Sequence, residues 1–180
     1  MVQGAADVDV ACFIGYHARA GTLNAVLCHT WTDEVRGVWL NDVAVGEIGL
    51  NAAVCGHYGV PIGLVTGDRA AVQEAIELLG PIETVAVKQA LGRLAAECFP
   101  VADNHHAIRA AAKRALEGRR TPWKVDAPVR LRVELSRPDQ ADRAVRLPGA
   151  ARLDGNTVEW IGQDMPEVYA AFRIIAALGD

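Results

Sequence analysis

Five histidines supply the side chains best suited to bind a metal or carry a proton near neutral pH. His17 and His29 each end an apolar segment and precede a loop, and the apolar neighbours of His29 would desolvate its imidazole. For both, a core histidine bonded to a backbone carbonyl is the structural alternative. His57 ends a predicted helix, where a cation meets the dipole favourably. His105 and His106 lie on a predicted helix surface, so these three receive no role in chemistry.

Glu47 is the acidic residue whose placement indicates chemistry. It opens an apolar helix directly after Gly46, which would bring its carboxylate to the edge of the sheet. A structural role explains it too, because a first-turn glutamate stabilises a helix by about 0.3–1 kcal/mol. The functional alternative makes Glu47 an oxygen ligand and His17 a nitrogen ligand of a divalent metal. Two such residues supply only part of a catalytic zinc site, which normally takes three ligands from the protein.

Other catalytic chemistries lack the residues that they need. The phosphate-binding patterns GxxxxGK[ST] and GxGxxG are absent, so Gly67 and Asp68 indicate a turn from strand to helix. Ser136 is the only serine and no GxSxG motif is present, which excludes an ordinary serine hydrolase. Cys28 and His29 are neighbours in the chain and would point to opposite sides of a strand, which makes a poor thiolate–imidazole pair.

Composition indicates a globular protein with a small-molecule or peptide partner. The 180 residues are 51% hydrophobic, enough for the core of one domain, or of one domain with a small appendage. A net charge of −4 with scattered basic residues argues against nucleic acid. Four widely spaced cysteines without a CxxC pair suit buried thiols in a reducing compartment. With no signal-peptide pattern and no apolar run approaching ~20 residues, we expect a cytoplasmic location and no membrane partner.

The elements that must position these side chains alternate between strands and helices up to residue 100. Asn41-Asp42 is a turn-forming pair between two apolar runs, and Asp68 is placed to cap a helix. Strands are predicted over 8–16, 35–40, 43–45, 61–68 and 83–89, and helices over 47–58, 69–79 and from about 90 through 97. This alternation is typical of βαβ units, so we predict an α/β fold with a partial parallel sheet flanked by helices over residues ~8–100.

A smaller α+β part is predicted to follow. Asp103 is placed to cap an alanine-rich helix that ends near Gly118. Residues 129–135 alternate apolar and charged side chains, which indicates a strand with one wet face. A strand over 157–161 and a helix over 164–178 complete this part. We therefore divide the chain into residues 1–100 and 101–180.

Four segments at this order and spacing resemble the M55 family of D-aminopeptidases, which are zinc peptidases. The segments are FIGYHARAGT, VLCHTW, LNDVAVGEIGLNAAVCGHYGVPIGLVTGD and VAVKQALGR. The resemblance runs from about Met1 to Pro100 with specific blocks and continues more weakly to the C-terminus. Residues 1–100 would then be the remainder of the metallopeptidase α/β domain.

The resemblance implies a zinc-dependent hydrolase of short peptides with an N-terminal D-amino acid, such as D-Ala-D-Ala. It implies a two-metal zinc centre with His17 and Glu47 among the metal ligands and His29 as the catalytic residue. It also implies a ring-like homo-oligomer.

The chain departs from the family pattern in one respect. The family's opening Asp-x-Glu strand and its Asn-Asp-Ser-His block, which carry further metal ligands, have no counterpart here, so Met1 resembles an internal position. The expectation is therefore an N-terminally truncated form, and a misplaced start, a fragment and a non-catalytic remnant all stay open. The alternative function is a non-catalytic peptide-binding or assembly subunit that retains the fold.

Overall fold

The computed structural model describes residues 4–179, which form two sheets with helices packed against them. A short 3-10 helix, Ala5–Asp7, precedes the first strand. The strands are β1 (Ala11–Tyr16), β2 (Val35–Leu40), β3 (Val43–Ala44), β4 (Ile62–Asp68), β5 (Glu83–Gly92), β6 (Ala95–Cys98), β7 (Val129–Leu135), β8 (Ala151–Arg152) and β9 (Thr157–Gly162). The helices are α1 (Glu47–His57), α2 (Arg69–Leu79), α3 (Val101–Glu117), α4 (Pro138–Ala144) and α5 (Met165–Gly179).

The first sheet has the order β1-β4-β5-β6. Strands β1, β4 and β5 are parallel and β6 is antiparallel to β5. All seven residues of β4 are buried, because this strand lies inside the sheet and carries small or apolar side chains almost throughout. The parallel sheet flanked by helices confirms the predicted fold class, and the carboxyl ends of β1 and β4 lie at the same edge.

The second sheet is antiparallel and has the order β3-β2-β7-β9-β8. Strand β7 follows its alternating sequence, since Val129, Leu131, Val133 and Leu135 are buried and the residues between them are partly exposed. Strand β2 pairs with β7, so this sheet joins strands from both sides of residue 100. Helices α4 and α5 pack on it.

Helix α1 lies between the two sheets and presents Glu47 at its first turn. Its residues from Ile48 to Gly56 are all buried. Ile48 packs into the core of the first sheet and Leu50 into the core of the second. A helix that is apolar on all sides is stable only when it is covered on all sides, which explains the dense apolar sequence after Glu47.

The sequence prediction is wrong for the segment after Gln89 and for the cap of α3, and it did not include α4 or β8. The helix expected through Glu97 is instead the hairpin of β5 and β6, in which Leu91 and Leu94 are 71% and 80% exposed. Packing offers no apolar face against which a helix here could bury its side chains. Asp103 does not cap α3, because the helix already begins after Pro100 and Asp103 lies in its first turn.

The cysteines are less buried than predicted. Cys55 on α1 is buried, but Cys12 and Cys98 are exposed. The reason is topological, because Cys12 lies on β1 and Cys98 on β6, the two edge strands of the first sheet. All four cysteines are free thiols. Over residues 4–179, none of the helices combines the length and apolar character that a membrane crossing needs.

Candidate metal centre

His17 leaves the first sheet at the carboxyl end of β1. Gly15, just before it, has a φ of 76°, a conformation that glycine adopts readily, and its amide donates to the Thr66 hydroxyl at 2.9 Å. The register between β1 and β4 shifts between Phe13 and Tyr16. This irregularity bends the strand end away from the ladder and directs the chain into the loop that starts at His17.

The loop of residues 17–34 carries His29 in a strained backbone. Leu27 and Trp31, on either side of His29, have φ values of 54° and 70°. Such angles cost bulky residues about 1–3 kcal/mol each and persist only where the surroundings hold them. The Leu27 amide donates to the Arg93 carbonyl at 2.7 Å, and the Val26 amide donates to Asp68 Oδ2 at 2.8 Å. His29 is thus a loop residue with a fixed backbone.

Glu47 brings a carboxylate to the two imidazoles. Its Oε1 lies 3.3 Å from His17 Nε2 and 3.9 Å from His29 Nε2, and it accepts a hydrogen bond of 3.1 Å from the Trp31 amide. The two imidazole rings stack at 3.9 Å between centroids. The three potential ligand atoms lie within 4.8 Å of one another. The structure therefore brings all three predicted site residues together.

The hydrogen bonds of the two imidazoles indicate which ring nitrogen is free to bind a metal. His17 Nδ1 lies 3.1 Å from the Ala18 carbonyl oxygen, and His29 Nδ1 lies 2.6 Å from that of Leu27. A carbonyl oxygen only accepts, so Nδ1 carries the proton and Nε2 keeps a lone pair in the neutral ring. Two lone pairs and a carboxylate then converge, which favours a cation between them. The donor set fits zinc, which binds histidine nitrogen and carboxylate oxygen.

Both members of the closest pair have shifted pKa values. The hydrogen bond to Glu47 raises the pKa of His17 and outweighs its partial burial. Burial alone would raise the pKa of Glu47, but hydrogen bonds from His17 and from the Trp31 amide lower it. In the absence of a metal, a proton on His17 thus takes the place of the cation.

A cavity opens beside His29. It has a volume of about 410 Å³, and its lining includes His29, Arg36, Asp33 and Arg93. His29 therefore belongs both to the cluster and to the lining of a cavity that is large enough for a small ligand. The remaining histidines, His57, His105 and His106, are exposed and take no part in the cluster.

A buried polar network beneath the cluster was missed by the sequence analysis. Asn51 on α1 donates from Nδ2 to the Tyr16 hydroxyl at 2.9 Å, and Tyr169 on α5 donates to Asn51 Oδ1 at 3.3 Å. Burial raises the pKa of Tyr16 to about 12. The available signal was Asn51 itself, a lone amide inside an otherwise apolar helix.

The site is a cluster of two histidines and one carboxylate that could hold a metal ion, at the carboxyl edge of a parallel sheet. Residues 1–174 match the model of the M55 peptidase family, described as D-aminopeptidase, and the chain belongs to that family. The family predicted from the sequence segments is confirmed.

Comparison of sequences and comparison of structures both find a Bacillus subtilis D-aminopeptidase that is similar over nearly the whole chain. A D-aminopeptidase of strain 168 is 37% identical over 182 aligned positions, which cover 99% of this chain and 66% of the relative. A solved structure, the Zn-dependent D-aminopeptidase DppA, described as a self-compartmentalizing protease, matches with a TM-score of 0.95 and 36% identity. It likewise covers 99% of this chain and 66% of its own. The chain thus spans just under two thirds of the length of this relative.

Proposed function

We propose that this chain carries an active site of the zinc-dependent D-aminopeptidase type, which hydrolyses short peptides with an N-terminal D-amino acid. The observation that carries the proposal is the convergence of His17, His29 and Glu47 within 4.8 Å. Membership of the M55 family and the name of the Bacillus subtilis relative support the substrate class.

His17 Nε2 and Glu47 Oε1 would hold zinc. When bound, the ion supplies Lewis-acid polarisation of the peptide carbonyl and lowers the pKa of water. Glu47 is kept in place by the Trp31 amide, and His17 by the Ala18 carbonyl. Both side chains are mostly buried, which limits the number of conformations that they can adopt. These two residues would therefore bind the zinc ion and fix its position.

His29 is placed to move the proton. It is more exposed than His17 and lines the cavity of about 410 Å³. Because the Leu27 carbonyl holds Nδ1–H, Nε2 is the atom that accepts a proton from the attacking water and returns it to the leaving amine. We assign His29 as the catalytic acid–base and keep it outside the ligand set.

The first experiment measures release of D-Ala from D-Ala-D-Ala by the zinc-loaded protein. We expect cleavage that a chelator abolishes, with L-Ala-L-Ala a poorer substrate. His29→Ala is expected to lower kcat by about 100-fold or more, the range for losing a general acid–base, with zinc content kept. His57→Ala is the matched control, since His57 is exposed and outside the cluster. Full zinc occupancy without cleavage of D- or L-peptides would refute the proposal.

A non-catalytic peptide-binding or assembly subunit is the second candidate. It is favoured by the number of donors, because a two-metal centre needs more than the three ligand atoms that converge among the described residues. Peptide binding that survives His29→Ala, in a protein that releases no D-Ala, would select this candidate.

We also propose that the protein assembles as a homo-oligomer in the cytoplasm. The relative described as self-compartmentalizing supports assembly. The exposed side chains of Leu91 and Leu94 on the β5–β6 hairpin supply an apolar surface suited to it. The cytoplasmic location stays a prediction from the unpaired, widely spaced cysteines.

A further inference from the structure

Glu74 is a buried carboxylate on α2 that the proposed reaction does not use. Its side chain faces inward and the residue is only 5% exposed. Carboxylates are rarely buried to this degree unless they are paired, because burial of the charge is costly. Burial raises the pKa of Glu74, and the amide of Arg19 opposes the shift. A group kept in so unfavourable a place needs a reason beyond the packing of α2.

The contacts of Glu74 lie on the two segments that carry the proposed metal ligands. Its Oε2 accepts a hydrogen bond of 2.8 Å from the amide of Arg19, two residues after His17. Its Oε1 faces Gly46, directly before Glu47, so closely that a Cβ on this glycine would lie 2.8 Å from it. One carboxylate thus touches the chain beside both ligands.

The same two segments also pack on each other. A Cβ on Gly46 would lie 2.7 Å from the Cβ of Arg19, so the glycine is required for the close approach. The Trp31 amide bonds the loop of residues 17–34 to the Glu47 side chain rather than to the backbone of α1, so an anchor that contacts both segments helps to fix their separation. Glu74 has the position of that anchor.

We propose that Glu74 is a positioning residue, which holds the His17 loop and the start of α1 at the separation that a metal shared by His17 and Glu47 requires. The inference rests on the proposed metal site, but its local effect is measurable without metal. The Trp31 amide donates to Glu47 Oε1, so its hydrogen exchange reports whether the Glu47 carboxylate stays in place.

The test compares Glu74→Ala and Glu74→Gln with Glu77→Ala in the full chain. Glu77 is on the same helix, is exposed and accepts a hydrogen bond from the Gln73 side chain, so its loss controls for a changed charge on α2. Val158→Ala on β9 controls for lost stability, because it truncates a buried side chain of the second sheet. Exchange at the Arg19 and Trp31 amides is followed by NMR on metal-free protein, and the Kd for zinc is measured by competition with a chelator.

We expect Glu74→Ala to speed exchange at both amides and to weaken zinc binding by about 10- to 100-fold, the range for residues that orient metal ligands. Glu74→Gln keeps an acceptor for the Arg19 amide and should lie between Glu74→Ala and the unsubstituted protein. Unchanged exchange at Trp31 in Glu74→Ala, or an equal loss of zinc affinity in Val158→Ala, overturns the inference. Failure of the unsubstituted protein to bind zinc would sink the metal site, and the Trp31 exchange would then decide the role of Glu74 alone.

Discussion

Each imidazole of the cluster is fixed by a backbone carbonyl on one nitrogen and faces Glu47 with the other. In this arrangement either a proton or a metal ion can lie between His17 and Glu47. The raised pKa of His17 and the lowered pKa of Glu47 describe the first of these states. Protons and zinc therefore compete for the same atoms, and zinc affinity should fall as the pH drops below the raised pKa of His17.

A pH dependence of the metal-free protein follows from the same pair. The His17 contribution to stability is complete below the ordinary pKa of 6.5 and is lost as the pH rises through its higher folded value. The Glu47 contribution is complete above 4.5 and is lost as the pH falls through its lower folded value. The pair therefore stabilises the fold most between 4.5 and 6.5.

The measurement is chemical unfolding with zinc removed. We expect His17→Ala to lower the free energy of unfolding more at about pH 5.5 than at a pH well above the raised folded pKa of His17. His106→Ala, which removes an exposed imidazole on α3 outside the cluster, is the comparison variant. An equal effect of His17→Ala at both pH values would mean that the pair does not form.

The site residues themselves could be chosen from the sequence, but their geometry could not. His17, His29 and Glu47 stood out because of their positions beside apolar segments and because of the family resemblance. The left-handed backbone at Leu27 and Trp31 could not be predicted from these residue types, because bulky side chains disfavour that conformation. It arises from tertiary contacts of the loop.

At the scale of elements, the fully buried Asp68 connects the strand, the helix and the loop around the site. Its Oδ1 accepts from the Ala71 amide and caps α2, as the sequence predicted, while Oδ2 accepts from Val26 in the His29 loop. Capping is a local rule and is visible in sequence. The bond to Val26 spans 42 residues, and no local pattern predicts it.

Removal of the Asp68 carboxylate should therefore affect both elements. We expect Asp68→Ala to cost more than the ~1 kcal/mol typical of a lost helix cap, because the Val26 amide also loses its buried partner. Asp103→Ala is the comparison, since Asp103 lies in the first turn of α3 without capping it. Denaturant unfolding gives both values. A cost for Asp68→Ala of only about 1 kcal/mol, that of an ordinary cap, would show that the Val26 contact adds nothing.

The elements that periodicity predicts correctly are largely those whose side chains have a simple pattern of burial. The alternating pattern of β7 and the apolar α1 each match the burial found, because a single sheet face and a fully covered helix impose simple sequence rules. The prediction of a helix in place of the β5–β6 hairpin was wrong because the exposed leucines, Leu91 and Leu94, resemble the apolar residues of a helix. Their environment depends on neighbours that local sequence does not specify.

At the scale of the molecule, the β5–β6 hairpin bears on assembly. Leu91 at the end of β5 and Leu94 in the turn before β6 expose most of their side chains. If this surface contributes to a homo-oligomer, Leu91→Glu with Leu94→Glu should shift the mass measured by light scattering toward the monomer, with the Tm nearly unchanged. Ile161→Glu, at another exposed apolar position, is the matched control. An unchanged mass in the hairpin variant would place the contact elsewhere.

The two sheets meet at α1, whose first residue supplies the carboxylate of the proposed metal centre. The most direct measurement is therefore the position of zinc in crystals of the zinc-loaded protein, determined from anomalous diffraction at the zinc edge. We expect a peak about 2.0–2.2 Å from His17 Nε2 and from a Glu47 carboxylate oxygen. Zinc bound at other residues only, with His17 and Glu47 still paired to each other, would contradict the proposed site.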